Sequence, residues 1–312
     1  MLGSGDDLPG IPERSRLFHL EPMNIGKPNV ESLASYTQRL IEAHSIDFDY
    51  FLQYEIYPNL GRQKKQFDYF SPKSILNTGW MIEGATHHYR LPEIGKLYLK
   101  RHRKATEKFI QVLENLTLRT HLERLTVMQL SNLSPNSGLL RRKLAWCPNC
   151  WSEWRRDSKP IYYPLLWGIN RVVICPKHER PLRFICPYCE QHQKLLPSSV
   201  RLGYCSICNK WLSVSFENSV HSRIKNFQLK EKFDWHLWVS KSIEEILVVT
   251  SSHSKPILQK NTKESIISNL QNLKISKYRL SEKIQRDEWL NINCLLEICY
   301  GTNFSLVELL FP

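Results

Sequence analysis

An α+β chain, mainly helical, is predicted by three observations. Apolar residues recur at helical spacing in both flanks, seven of the nine cysteines form closely spaced knuckles in the middle, and short β-type runs occur only among those knuckles. The 312 residues thereby divide into a helical N-terminal domain (1–140), a tandem cysteine-knuckle domain (141–215) and a helical C-terminal domain (216–312).

Pro9, Gly10, Pro12, Gly26 and Pro28 break any period at the start of the chain. From Val30 to Ile46, Leu33, Tyr36, Leu40 and Ile41 fall on one helical face, with Glu31 expected in the first turn. Phe48–Ile56, Lys104–Asn115 and His121–Leu130 carry the same period. The cluster LKRHRK at Leu99–Lys104 can grip phosphates or form a solvated face. In the middle, RVVIC and LRFIC read as short strands, and Lys230–Val249 then predicts an amphipathic helix with Phe233, Leu237, Trp238, Ile243 and Leu247. Thr250–Pro256 reads as a linker, and Trp289–Leu310 is helical again.

The formal charge is +13, and residues 141–211 hold 13 Lys and Arg against 4 Asp and Glu, so the basic footprint is concentrated in the middle. A charge of this size implies an anionic partner, nucleic acid before membrane. No apolar run of about 18 residues, signal-peptide core or lipidation motif is seen, so the expected compartment is the cytoplasm, with no membrane insertion.

Cys147 and Cys150 form CPNC and Cys175 with His178 forms CPKH; Cys186 and Cys189 form CPYC and Cys205 with Cys208 forms CSIC. Such knuckles bring two soft donors to one face of a tetrahedral ion, and a second knuckle closes the other face. Two structural zinc ions are expected, one in each quartet. His192, three residues after Cys189, is an alternative donor to the second. A redox pair would need one reactive CxxC in a βαβ context, and catalytic zinc would need an open position. Cys294 and Cys299 read as buried thiols of an apolar helix. With no GxxxxGK[ST] and no carboxylate set for two-metal chemistry, no enzyme activity is expected; the adjacent His87 and His88 read as surface residues.

The ordered strings WCPNCWSEW, YYPLLWGINRVVICPKHERPLRFICPYCE and GYCSICNKWL resemble the zinc-binding heart of the TniQ/TnsD family of transposon target-selection proteins. Arg14–His44 and Phe109–Gln129 resemble that family's N-terminal segment and the helical piece before the first knuckle, so the resemblance extends over about residues 14–215. It implies an adaptor that ties a target marker, either target DNA or a CRISPR effector with guide RNA, to an AAA+ ATPase that recruits the transposase. A direct sequence-specific DNA binder of TnsD type is the first alternative and a zinc-ribbon nuclease a weaker one. A homodimer is among the assemblies it allows.

The tail is looser in its resemblance. Lys263–Gln285 reads as helix, turn and helix, a helix-turn-helix candidate in which Arg279, Lys283 and Arg286 share one face and Lys277 lies at the turn. These four are the expected nucleic-acid contacts, against the plainer reading of a packing helix with solvated charges. Trp151, Trp154, Arg155 and Arg156 are the expected partner contacts, Trp and Arg being the residue types that most often anchor interfaces; the tryptophans padding the knuckle is the competing reading.

Overall fold

The computed structural model describes residues 14–63, 106–128, 130, 139–141, 143–193, 201–214, 227–252 and 292–311. Among these residues it is mainly helical with one two-stranded sheet. The first helix, α1, spans Leu33–His44. Ser32 caps it by accepting from the Ser35 N–H, and Ser45 ends it in the left-handed conformation (φ 54°) with its N–H turned back to Glu42 and Ile41 carbonyls. Glu31 therefore lies before the cap and not in the first turn. It is fully buried and accepts from Arg39 Nη1 (2.6 Å), Ser35 Oγ (2.8 Å) and the Met23 N–H (3.1 Å). A buried carboxylate is tolerable only when paired and hydrogen-bonded in this way.

The Phe48–Ile56 pattern forms a single α turn at Phe48–Tyr50 that widens into a π-helical segment, Phe51–Ile56, and tightens to a 3-10 helix at Tyr57–Gln63. Pro58, without an N–H, cannot continue an α ladder there. Helix α2 covers 106–117, whereas the period at His121–Leu130 yields no α-helix among the described residues but a 3-10 turn, Leu122–Leu125, with Met128 and Leu130 again in 3-10 conformation. The expected strand RVVIC shrinks to its last two residues, and LRFIC (182–186) keeps only isolated bridges at Arg183 and Ile185, the paired strand falling just before it. β1 (Ile174–Cys175) pairs antiparallel with β2 (Arg180–Pro181), and isolated bridges such as Trp146↔Arg183 supply the rest. The chain here spends its backbone hydrogen bonds on knuckle turns rather than on a ladder.

Helix α3 is Pro148–Arg156 and α4 is Phe227–Ser252, so Thr250–Ser252, expected in a linker, completes a helix. In α4, Val239, Ile243, Ile246 and Leu247 are buried, and the helix packs against β1 and the 3-10 turn Leu165–Gly168. Helices α5 (Ile292–Thr302) and α6 (Leu306–Leu310) finish the described chain, α6 packing on α4. Buried apolar residues from Leu17 to Leu310 form one cluster. It is closed by contacts distant in sequence: Leu165 N–H to the Val30 carbonyl (2.8 Å) and Ser32 N–H to the Tyr163 carbonyl (3.0 Å) join the N-terminal segment to the chain that follows α3. Among the described residues no helix is long and apolar enough to cross a membrane.

Candidate metal centres and the surface around them

Each knuckle is built by its backbone. In CPKH, CPYC and CSIC the residue four places after the first cysteine is left-handed: Glu179 (φ 49°), Glu190 (φ 54°) and Asn209 (φ 53°). Each donates its N–H to that cysteine's carbonyl, at 2.8, 3.0 and 3.0 Å. This turn folds the two donor side chains to one side, and the inner N–H groups point at sulfur: Tyr188 N–H to Cys186 Sγ and Ile207 N–H to Cys205 Sγ, both 3.4 Å. CPNC is built differently. Cys147 is the N-cap of α3, Pro148 occupies the first turn where its missing N–H costs nothing, and Trp151 continues the helix.

The eight residues come together as expected, in two groups: Cys147, Cys150, Cys175 and His178, and Cys186, Cys189, Cys205 and Cys208. Within each group the donor atoms all lie within 4.8 Å of one another. In the first, His178 Nδ1 is 3.5, 3.3 and 3.6 Å from the sulfurs of Cys147, Cys150 and Cys175, and the Cys150 and Cys175 sulfurs are 3.7 Å apart. In the second, Cys186–Cys208 and Cys189–Cys205 are separated by 3.7 and 3.6 Å. A tetrahedron with Zn–S of ~2.3 Å and Zn–N of ~2.0–2.1 Å has edges of roughly 3.5–3.8 Å, so both donor sets fit a single ion of that kind. Both clusters could hold metal ions.

Electrostatics agree with that fit. The thiols of Cys150 and Cys175, aided by the backbone N–H groups of Cys150 and Asn149, push Cys147 down to about 4 against the opposing effect of burial. The same contacts with Cys147 and Cys175, together with burial, push Cys150 upward. Thiolates this close cannot all be ionised without a cation between them, which is the service a divalent metal performs. At Cys205 burial acts upward, yet the N–H groups of Cys208 and Ile207 prevail and bring it to about 7.

His192 stays outside the second group. Its Nδ1 pairs with the Phe184 carbonyl at 3.0 Å, so the alternative of a histidine there is not taken up. Cys299 is buried in α5, where burial pushes its thiol up to about 12.

The tryptophans require a correction. Trp151 and Trp154, expected to face a partner, are buried. Trp154 stacks on Tyr162 (4.4 Å, 7°), and Trp151 stacks on Trp146 (5.9 Å, 8°) while donating Nε1–H to the Tyr162 carbonyl at 3.1 Å. Apolar area on the inner face of a short helix finds the core before it finds a partner. Arg155 and Arg156, on the outer face of α3, are exposed. Arg155 also lies 4.9 Å over the Trp211 ring. Lys277, Arg279, Lys283 and Arg286, with the whole helix-turn-helix candidate, fall outside the described residues, as do LKRHRK and His87 with His88.

Three polar residues that join these parts, two of them buried and Glu153 half-buried, carry no motif. Gln193 accepts from the Ser206 N–H (2.8 Å) with its side chain and from the Leu144 N–H (3.1 Å) with its backbone, tying the last knuckle to the stretch before the first. Arg141 donates to the Ile169 carbonyl (2.6 Å) and to that of Val172, over the Phe184 ring. Glu153 faces His178 from α3, with Nε2 and Oε1 2.8 Å apart.

The described chain is a mainly helical body built round two Cys/His quartets, each of which could hold a metal ion. The TniQ family model matches residues 22–182, just over half of the chain, and the chain belongs to that family. Among curated proteins none matches it. The family is a non-catalytic one with a target-selection role in transposition. The match takes in the whole first quartet and ends before Cys186, so it is narrower than the resemblance read from the sequence, and the second quartet lies beyond it.

Proposed function

We propose that this protein is a non-enzymatic adaptor of transposition target selection, linking a target-marking complex to an AAA+ ATPase that regulates the transposase. The observation that carries the reading is the family match over 22–182, coinciding with a first quartet whose four donors close on one point. The marker in this reading is a CRISPR effector with guide RNA. The metal is zinc, one ion per quartet. Bound there, zinc would cross-link the chain and leave no open position for chemistry. Arg155 and Arg156 are the partner contacts on the described surface, and Lys277, Arg279, Lys283 and Arg286 the contacts to nucleic acid.

The test is reconstitution of the full chain with the ATPase and the CRISPR effector encoded beside it, on DNA. ATPase recruitment that depends on the effector is the expected result. Recruitment to one particular duplex without it would make the protein a direct reader of its target site, and none under either condition would remove the adaptor role. Metal analysis should find about two zinc ions per chain.

A further inference from the structure

We propose that Glu153 is the positioning residue of the first quartet: its carboxylate holds the His178 ring so that Nδ1, and not Nε2, is presented to the metal. The inference rests on reading that quartet as a metal site. His178 has two ring nitrogens, and either can bind a metal when the other carries the proton. Here they are divided. Nδ1 lies 3.3–3.6 Å from three cysteine sulfurs, while Nε2 lies 2.8 Å from Glu153 Oε1. A carboxylate can only accept, so the proton sits on Nε2 and the lone pair is left on Nδ1, facing the sulfurs.

The carboxylate is itself held. Lys177 Nζ donates to its other oxygen, Oε2, so neither oxygen is left to rotate. Glu153 also stands three residues after Cys150 on α3, which places a sulfur donor and the orienting group for the histidine on one face of one helix. Trp151 and Trp154, buried beside that face, fix the rotation of the helix. The second quartet, four cysteines with no histidine, has no need of such a residue and serves as an internal reference.

The experiment is chelator competition on the full chain loaded with zinc, repeated with cobalt, whose visible absorption separates a three-sulfur, one-nitrogen site from a four-sulfur site. Glu153→Ala should weaken the first site by roughly 10–100-fold and leave the second within about twofold of the unsubstituted protein. Glu153→Gln keeps an acceptor without the charge and should lose less. Lys177→Ala, which removes the ion pair but not the contact to His178, should lose least. Nitrogen NMR of the His178 ring should show Nε2 protonated in the unsubstituted protein. Loss at both sites in Glu153→Ala and Glu153→Gln alike, no loss at the first, or an equal loss in Lys177→Ala would overturn the proposal. Failure of the unsubstituted chain to bind metal at the first quartet would overturn the metal reading along with it.

Discussion

Trp151 and Trp211 lie with ring centroids 6.1 Å apart, the first on the helix that opens one quartet, the second just past the hairpin that closes the other. Trp151 also stacks on Trp146 and meets Trp167 edge to face at 5.8 Å. Ser152 and Ser213 hydroxyls, 2.6 Å apart, and Gln193 add polar ties across the same seam. The two quartets therefore share one packed seam, so a cavity opened in the seam itself should be felt at both, whereas loss of a contact to a single donor should stay at its own site.

Replacing Trp151 by Ala should cost about 3–5 kcal/mol, since it leaves a large cavity at the seam, and should ease metal release from both quartets together. Arg155→Ala, on the outside of the same helix, should cost less than about 1 kcal/mol. Denaturant melts of the zinc-loaded chain, with released zinc followed in parallel, check both.

Gly203 sits in the left-handed region (φ +84°), and a Cβ added there would lie 2.2 Å from Trp211 Cζ3. Gly203→Ala should destabilise by roughly 2–4 kcal/mol, because the clash is with a ring that is wedged against other aromatics. Gly301 in α5 has nothing within 4 Å of the same position. Gly301→Ala should stabilise by about 0.5–1 kcal/mol in thermal unfolding.

Glu42 accepts from the Leu202 N–H, and burial raises its pKa above the ordinary 4.5 despite that bond and the nearby Arg201 and Arg39. A carboxyl raised in the folded state favours folding fully below about 4.5 and loses that contribution as pH climbs through the raised value. Glu42→Gln keeps the acceptor without the charge. It should be near neutral at pH 4 and stabilising at pH 8, by no more than about 1 kcal/mol for a partly solvated group. Unfolding at the two pH values measures the difference.

Arg141 is buried, and desolvation lowers it to about 10. Among the described residues its partners are carbonyls of the 169–172 turn and the Phe184 ring, with no carboxylate. Lys cannot reproduce the forked donors, so Arg141→Lys should cost about 1–3 kcal/mol and loosen the approach to Cys175. Hydrogen exchange at 169–175 would register the loosening.

The quartets were legible because a knuckle is local: four residues determine where two donors point, and only the pairing of knuckles is a matter of fold. Helix α1 was legible for the same reason, and α4 in part: Ile243 and Leu247 are buried, whereas Phe233, Leu237 and Trp238 are only half-buried and Val239 and Ile246 take their place. Glu153, Gln193 and Arg141 were not, since an acid, an amide and a guanidinium carry no periodic signal and take their meaning from neighbours distant in the chain. Trp151 and Trp154 were misplaced because a tryptophan beside an arginine looks alike in a core and at an interface; burial alone separates them. RVVIC keeps a two-residue strand and LRFIC only isolated bridges, because each run ends in the first cysteine of a knuckle turn.

The long-range ties of the N-terminal segment bear on how the protein is made. Ser35 waits for Tyr163, 128 residues later, Glu42 for Leu202, 160 residues later, and Gly26 for Ser251, 225 residues later. At a ribosomal pace of about 5–20 residues per second, the N-terminal segment is exposed for roughly 11–45 s before the last of these partners emerges. Its apolar face must be shielded over that interval, so a nascent chain stalled before residue 163 should be bound by chaperones, and one carried past 252 should shed them.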